Sequence, residues 1–388
     1  MYRIIAILIA SIALLCIACG EGNAPGETEA LQQVPRNRTM ILGLPQMLDY
    51  DSFNPYLPGV TSDTGFNFLF EPLYFYNAYG EEDNLLPWIA EGHQYNEDFT
   101  EVTIKIRPGV EWSDGHPWTV HDLVFTINML KENAPELSFS TDMNTWVAEA
   151  IALDSLTAKI TLNAPNPRFV FSYFTHNFDN GVPIVPKHIW EGQDPGGFKN
   201  FDTAKGWPVV SGPYQIAISV PEQRVWDVRD DWWAQKIGFR DMPKVERIIY
   251  LTHMEEAKRV QNLISNTMDT SLDIRPPNIR SILDSNPKVS TWSGRELPHG
   301  YLDWWPICLG FNTLEPPFND PEIRRAINYA IDRDQLVAIG WQGAGTKTHL
   351  PLPDFPPMRK YTDGVQDLVE KYEIGVFDPA KSAAILLR

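Results

Sequence analysis

Cysteine is scarce: three of 388 residues, at positions 16, 19 and 308, which provides no disulfide framework. Cations are scarce too. Thirty-two Lys and Arg stand against 50 Asp and Glu, a net charge of −18. No basic stripe supplies the clustered charge that phosphate contacts need, so nucleic acid is not an expected partner. No apolar run reaches the ~20 residues of a comfortable membrane span. There is no G-x-S-x-G, no H-E-x-x-H and no phosphate-cradling glycine loop, so the familiar hydrolase, metalloprotease and nucleotide-binding signatures are missing. Internal repeats and low-complexity tracts are absent as well, which argues against an adhesive or structural surface protein.

What is present begins with a leader. Arg3 precedes an apolar run from Ile4 to Leu15 broken only by Ser11, within the ~7–15 residues of a secretory h-region. At "LLCIACGEGNAPGETEA" the character changes at Cys19, with Ala18 before it and Gly20 after it. This resembles the lipobox of bacterial lipoproteins, and the resemblance implies that Cys19 is the lipidated first residue of the mature chain. Cys16 occupies the position where such motifs usually carry Leu. An ordinary signal peptide cut near Ala18, or a short uncleaved anchor, are the other readings. Residues 1–18 are thus the leader, and 19–38, rich in Gly, Pro, Glu and Gln, a flexible tether. Cys308, in "WWPICLGF", is expected to be a small buried hydrophobe.

The body alternates strand and helix signals. In "EVTIKIRPGVEW", Val102, Ile104 and Ile106 alternate with Thr103, Lys105 and Arg107, the period of two of a half-buried strand. A turn follows at Ser113-Asp114-Gly115. Thr119 stands three residues before Asp122 as in a capping box, and Val120, Leu123, Val124, Ile127 and Leu130 share one helical face. Ala158, Ile160 and Leu162 mark a second strand, "VVSGPYQIAISV" a third after a Gly-Pro turn, and Val245 to Leu251 a fourth. "EEAKRVQNLISNTMD" has helical spacing. Asp320 and Pro321 open a helix in the N-cap and N1 arrangement, with Ile323, Ala326, Ile327, Ala330 and Ile331 inward, and Asp332 restarts it. The class is mixed α/β.

The "HPWTVHD" segment offers His116, His121 and Asp122 to a metal, but it bridges a turn and a helix start, and the spacing matches no zinc pattern. No metal, no cofactor and no catalysis are therefore expected.

Three motifs in order carry a further resemblance: "LFEPLYFYNAYGEEDNLLPWIAEGHQYNEDFTEVTIKIRPGVEWSDGHPWTVHDLVFTINML", then "VSGPYQI", then "FNTLEPPFNDPEIRRAINYAIDRDQLV". They are similar to the signature stretches of the extracellular solute-binding proteins, family 5, of ABC importers for peptides, nickel and some oligosaccharides. The resemblance runs from about residue 40 to 388. It implies a two-lobed binding protein of the type II periplasmic kind, with residues 39–76 and 210–297 in the first lobe, 77–209 as an extra subdomain packed on it, and 298–388 as the start of the second lobe. Family members usually run further, whereas this chain stops just after a helix start at Asp378-Pro379, so the second lobe is expected to be incomplete.

The same resemblance implies a peptide or oligosaccharide ligand, ABC permease and ATPase subunits as partners, a membrane association through lipid, and a monomer. It places Gly59, Val60 and Thr61 at a cleft edge, with a plain turn after Pro58 as the other reading. Trp304 and Trp305, near the crossover between lobes, are the aromatic candidates for ligand stacking, with Trp207 and Asn312 beside them as further candidates. The 13 Trp residues lean towards sugar, and the family's usual cargo towards peptide.

Overall fold

The computed structural model of the chain describes residues 33–45, 49–57, 65–77, 80, 84–177, 181–299, 306–352 and 356–387. The fold is mixed α/β. In chain order the strands are β1 (Thr39–Gly43), β2 (Tyr74–Tyr76), β3 (Leu85–Pro87), β4 (Ala90–Tyr95), β5 (Glu101–Ile106), β6 (Val147–Ala152), β7 (Thr157–Leu162), β8 (Thr175–His176), β9 (Tyr214–Val220), β10 (Gln223–Val228), β11 (Arg247–Leu251) and β12 (Thr270–Ser271).

They pair into three sheets: β12-β1-β11-β10-β9, β3-β2-β8 and β4-β5-β7-β6. In the first, β1 runs parallel to both β11 and β12, while β10 is antiparallel to β9 and β11. The earliest strand is therefore held between strands that arrive some two hundred residues later. Asp227 faces Arg247 across the β10–β11 pair, and the guanidinium donates to both carboxylate oxygens at 2.6 Å. The pair is largely screened from solvent, so this two-pronged bond pins register more firmly than a surface ion pair does.

The all-antiparallel β4-β5-β7-β6 sheet shows why alternation reads as strand. Val102, Ile104 and Ile106 of β5 and Ala158 and Ile160 of β7 are wholly buried, because successive side chains point to opposite faces. The helix Val120–Glu132 packs on β6 and β7 and buries Val120, Leu123, Ile127 and Leu130, with Val124 half-buried. It starts where the capping box places it. The Thr119 amide donates to Asp122 Oδ2 at 2.9 Å, and Thr119 Oγ1 accepts from the His121 amide at 3.3 Å. The other Asp122 oxygen accepts from the Lys187 amide at 2.8 Å, which fastens the short helix Lys187–Trp190 to the longer one.

The Ser211-Gly212-Pro213 turn shows why glycine is needed there. The Ser211 and Gly212 amides both donate to the Leu69 carbonyl, at 3.1 and 2.8 Å. This brings the backbones so close that a Cβ on Gly212 would stand 2.1 Å from the Phe68 carbonyl oxygen.

Two expectations need correcting. Cys308 is exposed, not buried: its segment, residues 306–310, makes no strand pairing among the described residues, and Ile307 and Leu309 beside it are 79% and 61% exposed. A small hydrophobe is buried only where another element covers it. In the helix Pro321–Ala330, capped by Asp320 Oδ1 accepting from the Glu322 amide at 2.8 Å, Ala326 and Tyr329 are buried. Ala330, expected inward, is exposed, and Ile323, Ile327 and Ile331 are half-buried. The reason is the partner. The helix packs on Pro379–Leu386, and Tyr329 turns to that side, its hydroxyl donating to Glu373 Oε2 and its ring lying 4.8 Å from Lys381 Nζ.

Gly212→Ala is expected to lower stability by about 2 kcal/mol or more, since a methyl forced against a backbone carbonyl cannot be relieved by a rotamer change. Urea unfolding of the purified variant beside the parent measures it.

Candidate ligand-binding site

A buried acid ties several segments of the body together. Glu71, in the "LFEPL" stretch, is 3% exposed. Its Oε1 accepts from the Trp88 indole N–H at 3.0 Å and its Oε2 from the Trp233 indole N–H at 2.6 Å, while its amide donates to Ser211 Oγ at 2.9 Å. One side chain thereby gathers the segment before β2, the β3–β4 connection, the turn before β9 and the short helix Trp233–Lys236 after β10. Burial pushes the carboxyl up to about 7, despite the indole donors and the nearby Arg229 guanidinium. Arg229 is itself buried, and its Nη1 donates to the Val210 and Gly212 carbonyls at 3.3 and 2.9 Å.

Two surface depressions among the described residues are candidates for a ligand, and neither is lined by the Glu71 cluster. The larger, about 370 Å³, is a groove between the Val120–Glu132 helix and the Lys187–Pro195 stretch, lined by Phe125, Met129, Glu132, Lys187 and Glu191 among others. The smaller, about 230 Å³, is lined by Pro276, Pro277, Arg280, Leu297, His299 and Gln342. Three stretches distant in sequence meet there: the start of the helix Pro276–Ser285, the Leu297–His299 crossing, and the turn after the Leu336–Gly340 helical segment. His299 is 6% exposed, and its Nδ1 has no hydrogen-bond partner among the described residues. An imidazole nitrogen that is buried yet unpaired costs about 1–3 kcal/mol, and a polar ligand group would remove that cost. The smaller depression is thus the better candidate, because only it joins the region before residue 297 to the helices that follow.

Of the residues singled out in the sequence, Gly59, Val60, Thr61, Trp304, Trp305 and Cys19 lie outside the described residues. Trp207 is half-buried, with its ring edge-on to Phe198 at 5.4 Å between centroids and Lys205 Nζ 4.5 Å from its centroid. Asn312 is exposed, and its Oδ1 accepts from the Leu314 amide at 3.1 Å, closing a turn. Neither Trp207 nor Asn312 lines the smaller depression. His299 and Arg280 went unnoticed in the sequence; the only signal was a histidine in "ELPHG", five residues before the Trp304-Trp305 pair. His116 does not pair with His121: its imidazole stacks on His188, 4.0 Å between centroids.

The five-stranded sheet joins strands from distant parts of the chain, and the smaller depression brings Gln342 to residues 276–299. The sequence profile of the bacterial extracellular solute-binding proteins, family 5, middle region, matches residues 84–387, and the chain belongs to that family. It is 28% identical over 295 residues to the "Probable peptide-binding protein YejA" of Agrobacterium fabrum, covering 74% of this chain and 46% of that protein. Among solved structures it is similar to a periplasmic oligopeptide-binding protein of Thermotoga maritima, with 26% identity and a TM-score of 0.72 over 90% of this chain and 62% of that one. The mannohexaose-bound form of that protein is similar at a TM-score of 0.69, over 91% and 62%. The chain spans about half the length of the curated relatives it matches. Its structural neighbours are periplasmic solute-binding proteins of the two-lobed type. No helix among the described residues is long and apolar enough to cross a membrane.

The raised Glu71 carboxyl has a consequence for stability. The folded state holds this proton to about pH 7, while the unfolded chain releases it near the ordinary value of 4.5. Between those values the native state binds more protons, so this group's contribution to stability falls as pH rises. Glu71→Gln should flatten that slope and cost about 1–3 kcal/mol, because its amide nitrogen cannot accept from an indole N–H. Denaturant titrations at pH 5 and pH 7 compare the two.

Proposed function

We propose that this protein is the substrate-binding component of an ABC importer, capturing oligopeptides outside the cytoplasmic membrane and passing them to the permease by hinge closure. Residues 39–76 and 210–297 make the first lobe, 77–209 a subdomain on it, and 298–388 lie in the second lobe. Cys19 carries the lipid anchor, the stretch from Gly20 to Arg38 is the tether, and the body acts as a monomer.

The observation that carries this reading is the smaller depression, where His299 Nδ1 has no partner among the described residues and Arg280 also lines the wall. A ligand that touches both sides of a hinge only in the closed form shifts the population towards closure by its binding energy, and no chemistry on the ligand is needed. A guanidinium matches a carboxylate in charge and fork geometry, which a peptide terminus offers and a neutral sugar does not. Family membership and the peptide-binding names of relatives support the same cargo. The second reading is an oligosaccharide cargo, favoured by the mannohexaose-bound neighbour and by the 13 Trp residues.

A thermal-shift screen of short peptides against oligosaccharides distinguishes the two. Ligand at 100 times its Kd adds about 2.7 kcal/mol to the native state. Peptides should raise the melting temperature and His299→Ala should reduce the rise; a response to oligosaccharides alone selects the second reading, and silence from both classes refutes the binding role. For the anchor, Cys19→Ala should move the protein from the membrane fraction to the wash.

A further inference from the structure

On the other side of the Asp122 cap, the structure brings together three groups whose chemistry the binding role does not use. Asp114 and His116 sit in the turn between Trp112 and Trp118, and His188 sits on the short helix Lys187–Trp190. His188 Nε2 lies 2.6 Å and His116 Nδ1 3.5 Å from Asp114 Oδ2. All three donor atoms lie within 4.8 Å of one another, and this is the one such three-residue group among the described residues. We propose that Asp114, His116 and His188 form a site for a single divalent transition-metal ion of the zinc type, separate from the ligand depression.

Imidazole nitrogen with carboxylate oxygen is a donor set that suits zinc and its neighbours in the first transition row. Bonds of roughly 2.0–2.1 Å in a tetrahedron set donor atoms about 3.3 Å apart. The His116–Asp114 separation is already close to this, and the His188–Asp114 contact has only to open by less than 1 Å. The two rings now stack with 16° between their planes, so they must swing until their lone pairs converge. All three residues are exposed, and that leaves room for the swing. Three protein donors leave the fourth position to water.

The backbone that carries these groups is held from both sides. In the turn, the Trp112 amide donates to the His116 carbonyl at 2.8 Å, the Gly115 amide to the Trp112 carbonyl at 3.0 Å, and the Ser113 amide to the Val210 carbonyl at 2.8 Å. The His116 amide donates to Asp114 Oδ1 at 3.1 Å, which leaves Oδ2 turned to the imidazoles. Asp122 holds His188's helix through the Lys187 amide. Two lysines are paired with other acids: Lys187 Nζ lies 3.5 Å from Glu191, and Lys236 Nζ 2.7 Å from Glu111. A bound ion would clip the turn to the helix. Chain spacing alone led to the opposite expectation, because His188 lies far along the sequence from the "SDGH" stretch.

The test is calorimetric titration of the chelator-stripped, dialysed protein with zinc chloride, followed by cobalt(II) substitution and its visible ligand-field absorption. One equivalent should bind. His116→Ala and His188→Ala should each weaken binding by roughly 10-fold or more, on the scale of losses seen even for outer-shell partners, while His121→Ala and Cys308→Ser should leave it unchanged. If an alanine variant fails to fold by circular dichroism, Asp114→Asn, which keeps the oxygen that accepts from the His116 amide, should show the same weakening. No uptake by the parent protein, or uptake unchanged when His116 and His188 are both replaced, overturns the proposal.

Discussion

A carboxylate shut away from water must be met by donors on every side, and Glu71 imposes that demand on most of the body. Desolvating an unpaired charge costs several kcal/mol, so the Trp88 and Trp233 indoles have to arrive at fixed positions around it, while the Ser211 hydroxyl accepts from the Glu71 backbone amide. Trp88 lies in the β3–β4 connection, whereas Ser211 and Trp233 come more than 120 residues later. Once they are placed, the turn at Gly212 is drawn against Leu69, and only a residue without a Cβ fits the gap. The acid in "LFEPL" and the glycine in "VSGPY" are parts of one junction.

The second carboxylate of this kind, Asp122, works on a smaller scale. It caps the Val120–Glu132 helix and also accepts from the Lys187 amide, and burial raises its carboxyl above the usual range although both amides donate to it. The His188 imidazole is thereby held beside the turn that carries Asp114 and His116. Past residue 297 the chain runs through an exposed stretch with Ile307 and Leu309 uncovered, and the Nδ1 of the buried His299 has no hydrogen-bond partner among the described residues.

Much of the fold could be read from the chain before any coordinates. β5 and β7 declared themselves by strict alternation, and the Val120–Glu132 and Pro321–Ala330 helices by their caps, because hydrogen bonds between residues two or three apart depend only on local order. Three motifs in sequence were enough for the family. β10 was not recognised: within Gln223–Val228 the consecutive Arg224, Val225 and Trp226 are all buried, so it does not alternate. Cys308 and Ala330 were misjudged because their exposure depends on which element lies opposite, and local order does not specify that.

The sequence on its own determined the class, the helix starts and the alternating strands, since each follows from steric and hydrogen-bonding rules acting over a few residues. Only tertiary structure decided that Glu71 is encircled by two indoles, that His299 and Arg280 share a depression with Gln342, and that His116 meets His188 in place of His121. Those contacts join segments tens to hundreds of residues apart. Spacing along a chain carries no information about them until burial of the apolar faces has brought the segments together.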